Sequence, residues 1–192
     1  SAASDVYKRQ VLLSSCGFSQ RQNNWRDGHV ELDSIPLTAY EYKERGKRKS
    51  ANGDKQGAID DYTRAIMVEP TYDTAYHNRG VVRADIGYYK DAILDYTKAI
   101  EINPHFAASY FSRANAKVDL RDNKGALSDY SKAIELNPRF IDPYVNRGVL
   151  KSEMGDYEGE IADYHLAIKH CEPSVNLYNN LCLLYTSDAA DD

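Results

Sequence analysis

Cysteine is scarce in this chain: the 192 residues include three, at positions 16, 171 and 182. Cysteines so far apart match neither the dense pattern of a disulfide framework nor the paired spacing of a structural zinc site. Long apolar runs are also missing, because no stretch approaches the roughly 20 apolar residues of a membrane-spanning helix. The sequence therefore predicts neither a disulfide-stapled domain nor a helix that spans a membrane.

Positive charge is in the minority, with 24 Lys and Arg against 29 Asp and Glu. A nucleic-acid-binding surface requires clustered positive charge, so we predict no nucleic-acid partner. The motifs HExxH and GxSxG, a P-loop and a glycine-rich dinucleotide loop are all absent. His165, His170 and Cys171 are the one cluster that resembles a metal corner, but the two histidines do not share a helical face well. We predict no cofactor, no metal and no enzymatic activity.

The two ends of the chain, residues 1–10 and 182–192, are related as DNA. One coding of residues 1–10 has a reverse complement that, read one base out of register, encodes residues 182–191. We interpret both ends as translated sequencing adapter, exclude them from the fold prediction and expect the natural chain to continue at both ends. Leaving out their two basic and four acidic residues takes Lys and Arg from 24 to 22 and Asp and Glu from 29 to 25.

The middle of the chain repeats itself every 34 residues. The slots that recur at this spacing are Tyr62, Tyr96, Tyr130 and Tyr164; Ala65, Ala99, Ala133 and Ala167; Pro70, Pro104 and Pro138; and Gly46, Gly80 and Gly148, with Ala114 in the remaining glycine position. A period of this length is typical of a solenoid, in which each unit buries its apolar face against the next.

Each unit contains two helical patterns. In the second unit, "YHNRGVVRADI" ends at Gly87, and "YKDAILDYTKAIEI" ends before Pro104. Apolar residues of the second segment follow helical spacing and form one stripe. We predict that Gly80 and Ala92 lie where the two helices cross, because a larger side chain there would push the helices apart.

These slots resemble the tetratricopeptide repeat family, which implies an all-α, right-handed α-solenoid of helix-turn-helix units. Four repeats result, at 39–72, 73–106, 107–140 and 141–174, and residues 175–181 begin a truncated fifth. The fourth repeat departs from the family pattern at two places, where Glu160 replaces a small alanine and Glu172 occupies the proline slot.

One departure from the family recurs in every copy. Repeat position 7, which the family usually fills with leucine, holds Arg45, Arg79, Arg113 and Arg147, and the residues sixteen further on are Asp61, Asp95, Asp129 and Asp163. A planar guanidinium suits two-point pairing with a carboxylate. We predict four Arg–Asp pairs between the helices of each repeat; a row of arginines for an anionic ligand is the alternative.

The resemblance implies that the first helix of each repeat lines a concave groove, and we predict that this groove binds a protein or peptide segment. The predicted peptide-binding residues are Lys43, Lys47, His77, Asn78, Val81, Phe111, Asn115, Val145, Asn146 and Val149. Asp85, Asp119 and Glu153 form a predicted acidic rim, which favours Lys or Arg in the ligand. The asparagines suit backbone recognition, with bonds to a neighbouring helix as the alternative.

Some members of the family hold a ligand's C-terminal carboxylate with a five-residue clamp of Lys, Asn, Asn, Lys and Arg. Lys43 and Asn78 match two of these positions. Lys47, Ala108 and Ser112 occupy the other three and do not match. The sequence therefore does not predict a chaperone C-terminus as the ligand.

The segment before the repeats contains "LSSCG", which resembles a bacterial lipobox with Cys16 as the lipidated residue. In this interpretation residues 11–16 are the remnant of a signal peptide and residues 17–38 are a flexible tether. The alternative is a chance cysteine in an apolar patch.

Together these features predict a non-catalytic scaffold or assembly factor, lipid-anchored in the bacterial cell envelope and facing the periplasm. The alternatives are a cytosolic co-chaperone or regulatory adaptor, and the non-catalytic end of a larger enzyme.

Overall fold

The computed structural model describes residues 37–170, and within them it shows eight α-helices and no strand. The helices are α1 Ala39–Ala51, α2 Lys55–Val68, α3 Asp73–Asp85, α4 Tyr89–Ile102, α5 Ala107–Asp119, α6 Asn123–Leu136, α7 Ile141–Glu153 and α8 Tyr157–His170. The predicted adapter ends, signal remnant, Cys16, truncated fifth repeat and residues 17–36 of the predicted tether lie outside the described residues.

Side chains just before several helices fix where these helices begin. Thr38 and Glu41 form a reciprocal capping box at the start of α1. Asp54 caps α2 by accepting a hydrogen bond from the backbone N–H of Gly57 at 2.9 Å. The same Asp–Gly arrangement recurs at the starts of α6 and α8. These caps satisfy backbone donors that the first helical turn leaves unpaired.

The two helices of a repeat cross where the sequence predicts. A Cβ atom added to Gly80 would lie 2.8 Å from Cε1 of Tyr96, and one added to Gly46 would lie 2.9 Å from Cε1 of Tyr62. Because these glycines lie against tyrosine rings, α1 and α3 approach their partner helices closely. Ala92 is fully buried beside Tyr96, as predicted.

Consecutive repeats share their cores. Ala58 and Tyr62 of the first repeat pack with Val82 of the second. Ala126 and Tyr130 of the third repeat likewise cluster with Leu150 of the fourth. Each unit therefore buries its apolar face against the next, which makes residues 37–170 an all-α solenoid. In this part of the chain the longest helices have 14 residues, and none is long and apolar enough to cross a membrane.

The four predicted Arg–Asp pairs all form, and we call them the Arg–Asp ladder. In the third repeat, Nε and Nη2 of Arg113 donate to the two carboxylate oxygens of Asp129, each at 2.8 Å. The matching pairs are Arg45 with Asp61, Arg79 with Asp95, and Arg147 with Asp163. The aspartates are buried, and their carboxylates occupy the guanidinium donors, which favours the structural role over an anion-binding row.

The ladder also joins one repeat to the next, which the sequence did not indicate. Nη1 of Arg113 donates to Oγ1 of Thr97 in the preceding repeat at 3.0 Å. Arg79 makes the same contact with Thr63, and Arg147 makes it with Ser131. Each of these arginines therefore connects three helices.

Glu160 is the exception in the core of the fourth repeat. It is 5% exposed and occupies the slot that the first three repeats fill with Ala58, Ala92 and Ala126. Its Oε1 accepts a hydrogen bond from the hydroxyl of Tyr164 at 3.0 Å. Its Oε2 is buried with no hydrogen-bond partner in the described part of the chain.

Candidate functional site

The predicted binding residues lie on α1, α3, α5 and α7, the first helices of the four repeats. We call the surface that these helices share the groove face. Neighbouring first helices contact each other, as in the hydrogen bond from Asn146 Nδ2 on α7 to Asn115 Oδ1 on α5 at 3.0 Å. The repeat stacking therefore brings residues from successive 34-residue units onto one surface.

A pocket of about 260 Å³ opens between α5 and α7. We call it the α5–α7 pocket, and its lining consists of Asn115, Val118, Asp119, Tyr130, Asn146, Val149, Leu150 and Glu153. Five of these residues, namely Asn115, Asp119, Asn146, Val149 and Glu153, are among the predicted site residues. The predicted site omitted the other three, Val118, Tyr130 and Leu150.

Three residues of the pocket lining form a polar network. The hydroxyl of Tyr130 donates to Oδ1 of Asn115 at 2.5 Å, and this oxygen also accepts the bond from Asn146. Burial raises the pKa of Tyr130 to about 12, so its hydroxyl stays protonated and remains a donor. The predicted alternative for these asparagines, a bond to a neighbouring helix, is thus confirmed for this pair.

The network leaves two amide atoms for other partners. Asn115 Nδ2 and Asn146 Oδ1 form no hydrogen bond with another described residue. One of these atoms is a donor and the other an acceptor, and the shared oxygen of Asn115 holds both amide planes in fixed orientations. A backbone N–H or C=O, or a polar side chain of a ligand, can bind to them.

The three rim carboxylates differ in their partners. Asp85 forms an ion pair with Lys55 at 2.7 Å. The other two, Asp119 and Glu153, are exposed and form no ion pair with any residue in the described range. The rim charge that remains available for a ligand therefore lies at the α5–α7 pocket.

The other apolar residues of the predicted floor are partly used by the protein itself. Phe111 is half-buried and packs its ring against Tyr130 and Phe140, with centroid separations of 6.0 and 5.0 Å. Val81 and Val145 pack against core clusters, whereas Val149 is 42% exposed. Val149 therefore offers the most accessible apolar surface among the predicted floor residues.

His77 lies in a contact between the second and third repeats. Its Nδ1 is 2.9 Å from Oγ of Ser109, and its ring centroid is 4.8 Å from that of Phe106. Burial lowers the pKa of His77 to about 4, against the weaker opposing effect of Asp73. The imidazole is therefore neutral at pH 7 and adds no positive charge to the groove face.

The first repeat carries the basic predicted residues. Lys43 forms an ion pair with Glu44 at 2.6 Å and lies over the ring of Tyr40 at 4.3 Å. Lys47 is exposed, and Asn78 on α3 is half-buried. No group of His, Cys, Asp and Glu side chains within residues 37–170 is arranged to hold a metal ion.

Two family models for the tetratricopeptide repeat match the chain, one at residues 74–106 and the other at residues 107–140. These ranges coincide with the second and third helix pairs, whose stacking is described above. The chain is a tetratricopeptide repeat protein. Its first and fourth repeats follow the same period and the same helix pairing.

Solved structures of other tetratricopeptide proteins share the fold. A crystal structure of MamA is 25% identical, with a TM-score of 0.67, and covers 75% of this chain and 84% of its own. A complex of the first tetratricopeptide domain of Spaghetti (RPAP3) with the HSP90 peptide SRMEEVD is 23% identical, with a TM-score of 0.60, and covers 61% and 93%. YrrB, described as having an unusual peptide-binding site, is 19% identical, with a TM-score of 0.63, and covers 79% and 78%. No curated protein is similar enough in sequence to count as a relative.

Proposed function

We propose that this tetratricopeptide repeat protein is a non-catalytic scaffold or assembly factor that binds an extended segment of another protein on its groove face. The observation that supports the proposal is the α5–α7 pocket, which combines apolar lining, fixed amides and two carboxylates that form no ion pair within residues 37–170. Pockets with apolar lining and a few placed polar groups are typical of binding sites.

Peptide binding by proteins of the same fold supports the proposal. RPAP3 binds the HSP90 peptide SRMEEVD, and YrrB has a peptide-binding site. The acidic peptide bound by RPAP3 does not suit this groove face, because Asp119 and Glu153 would repel carboxylates. We therefore expect this protein to select a ligand of a different charge.

A pair of lysine substitutions tests the groove face. Val149→Lys places a long side chain in the α5–α7 pocket, while Leu94→Lys makes the same kind of change on α4, outside the groove face, where Leu94 is 67% exposed. Short random peptides displayed on phage are selected on the full chain, and their affinities for both variants are then measured. We expect Val149→Lys to weaken binding about tenfold or more, because it fills the pocket, and Leu94→Lys to leave binding unchanged.

The result that contradicts the proposal is equally clear. Selected peptides that bind both variants as well as the unsubstituted chain would place binding elsewhere on the protein. Equal losses of peptide affinity in the two variants would mean that a lysine added anywhere on the surface weakens binding, and that the pocket has no specific role. Circular dichroism of both variants shows whether the fold is retained.

Anchoring in the bacterial envelope through lipidated Cys16 is the second part of the proposal, and the sequence "LSSCG" supports it. With a complete signal peptide restored, expression in a bacterium is expected to place the protein in the membrane fraction with added acyl mass. Cys16→Ser is expected to abolish both. A protein that is soluble and unmodified with Cys16 intact would favour a cytosolic adaptor instead.

A further inference from the structure

The α5–α7 pocket differs from the equivalent places between the other repeats. Repeat position 9 holds Lys47, Val81, Asn115 and Val149, so the amide at this slot occurs in the third repeat alone among the four. The residue thirty positions before each rim carboxylate also differs. It is Lys55 for Asp85, Tyr89 for Asp119 and Asn123 for Glu153. The lysine that neutralises Asp85 therefore has no counterpart at the other two.

The electrostatic field at this pocket favours a cation for two independent reasons. Asp119 and Glu153 are the last residues of α5 and α7. The backbone dipoles of a helix sum to a partial negative charge at its C-terminal end, so two helix ends add to the charge of the two carboxylates. An anionic ligand group is disfavoured by both contributions.

Three residues of the pocket lining are apolar. Val118, Val149 and Leu150 share the lining of the pocket with the amides of Asn115 and Asn146 and with the two carboxylates. Asp119 follows Asn115 by four residues, and Glu153 follows Val149 by four, so each carboxylate lies one helical turn beyond a lining residue on the same helix face. A side chain that enters here meets both apolar surface and hydrogen-bond acceptors.

We infer that the α5–α7 pocket is a subsite for one arginine side chain of the bound segment. This inference rests on the proposed function, because it assigns a ligand group to the same groove face. The acceptors are Asn146 Oδ1 and the carboxylates of Asp119 and Glu153, which lie on two helices.

Arginine fits this arrangement better than lysine. A guanidinium presents five donors in one plane, so it can bind acceptors on both helices at once, and it is more weakly hydrated than an ammonium group. Its planar, weakly hydrated face also suits the valine and leucine walls. A lysine offers a compact point charge that keeps more of its water.

Peptide selection on matched variants tests the inference. The full chain, Asp119→Asn/Glu153→Gln and Asp85→Asn are each used to select short random peptides from a phage library. Asp119 and Glu153 are exposed, so their isosteric substitution leaves the core unchanged. Asp85→Asn removes one negative charge from the same rim, at a carboxylate that Lys55 already neutralises.

We expect the full chain and Asp85→Asn to enrich peptides with an arginine at a fixed position, and the double variant to lose this enrichment. In the best peptide, replacing that arginine by citrulline, a neutral analogue of the same shape, is expected to weaken binding to the full chain about tenfold or more. Lysine in its place is expected to bind between the two. The citrulline effect should be absent in the double variant.

The outcomes separate the subsite from the function. Peptides that depend on Val149 but contain no arginine, or that bind equally well with lysine or citrulline, overturn the arginine subsite and leave the proposed function standing. Failure to select any peptide whose binding depends on Val149 overturns both. Equal losses in Asp85→Asn and in the double variant would show a general effect of rim charge and would overturn the subsite.

Discussion

At the scale of single residues, the turns between paired helices show how a repeat position constrains its occupant. The residue at this turn has a positive φ in all four repeats: 86° at Gly53, 84° at Gly87, 63° at Arg121 and 84° at Gly155. Glycine adopts this left-handed conformation without strain, whereas a residue with a Cβ atom does not. Arg121 is therefore held in an unfavourable conformation by the repeat around it.

Replacing this arginine is expected to stabilise the protein. We predict that Arg121→Gly raises the free energy of unfolding by about 0.5–1 kcal/mol, since relief of the strained φ exceeds the greater freedom of glycine in the unfolded chain. Denaturant unfolding measures the change. The matched substitution Gly87→Ala, at the same turn of the second repeat, is expected to lower stability. An Arg121→Gly variant less stable than the parent would mean that the arginine side chain stabilises the turn.

Glu160 is a second residue that departs from its repeat position. We predict that Glu160→Ala raises the free energy of unfolding by about 1 kcal/mol, because it removes a buried carboxylate oxygen with no partner among the described residues. Thermal and denaturant unfolding both measure this. The reverse change Ala126→Glu, at the same slot of the third repeat, is expected to destabilise. If Glu160→Ala lowered stability instead, the hydrogen bond from Tyr164 would outweigh the burial of the second oxygen.

At the scale of helices, the Arg–Asp ladder links the two helices of each repeat and connects the second, third and fourth repeats to the one before. Asp129 binds Arg113 on two oxygens and also pairs with Lys117 at 2.7 Å. Removing one partner of a buried pair leaves a charge without compensation, which destabilises more than replacing both partners. Because of this difference, the coupling free energy between Arg113 and Asp129 can be measured.

A double-mutant cycle isolates the contribution of this pair. We predict that Arg113→Leu lowers the free energy of unfolding by about 2 kcal/mol, and that Arg113→Leu with Asp129→Ala loses less than the sum of the single changes by at least about 1 kcal/mol. Urea unfolding of the four proteins measures both values. Additive effects within about 0.5 kcal/mol would show that the pair contributes no coupling.

His77 connects helices of the second and third repeats, and its burial makes that contact sensitive to pH. Its pKa in the folded protein is about 4, below the ordinary value of 6.5. The unfolded chain therefore binds a proton at a higher pH than the folded chain, and stability is lost as pH falls from about 6.5 towards about 4. Above pH 6.5 the contact is at full strength.

Substitution of this histidine is expected to flatten the pH profile. The variant His77→Phe keeps an aromatic ring but cannot titrate. We predict that its free energy of unfolding falls less between pH 7 and pH 4 than that of the parent, by on the order of 1–3 kcal/mol. The free energy of unfolding is measured across this range for both proteins. His105 is exposed, so His105→Gln serves as the control and is expected to leave the profile unchanged. Parallel profiles for His77→Phe and the parent would show that His77 does not cause the acid sensitivity.

At the scale of the whole described domain, charge is distributed unevenly along the groove face. Lys43, Lys47 and Arg48 make α1 basic, while α5 and α7 end in acidic residues. Such a field attracts a ligand with a basic segment before contact, and salt screens it over a Debye length of about 8 Å at physiological ionic strength. Steering of this kind changes association rates more than dissociation rates.

The association rate of a selected basic peptide is expected to reveal this steering. We predict that Asp119→Lys slows association several-fold at low salt and that the difference narrows as salt approaches about 1 M, where the Debye length is about 3 Å. Stopped-flow fluorescence measures the rates. Asp60→Lys changes the net charge equally at an exposed position of α2, outside the groove face, and should slow association less. Equal effects of the two variants would mean that net charge alone controls the rate.

The sequence determined most of the fold because the same residue types recur at the same positions of successive repeats. Residues that recur every 34 positions identified the two helices of each unit, the close crossing of these helices at Gly80 and Ala92, and the pairing of Arg113 with Asp129. These contacts lie within one unit or at a constant offset along the chain. Their geometry follows from helical periodicity, which a single sequence contains.

Tertiary structure decided the character of the candidate site. The sequence placed Asp85 and Asp119 on one rim, but only the stacking showed that Lys55 neutralises the first and leaves the second without an ion pair among the described residues. It likewise placed Asn115 on the groove face without indicating that its oxygen is shared with Tyr130 and Asn146. These contacts join residues 15 to 31 positions apart across different helices. Small rotations of one helix against another determine whether they form, and a repeat pattern does not specify those rotations.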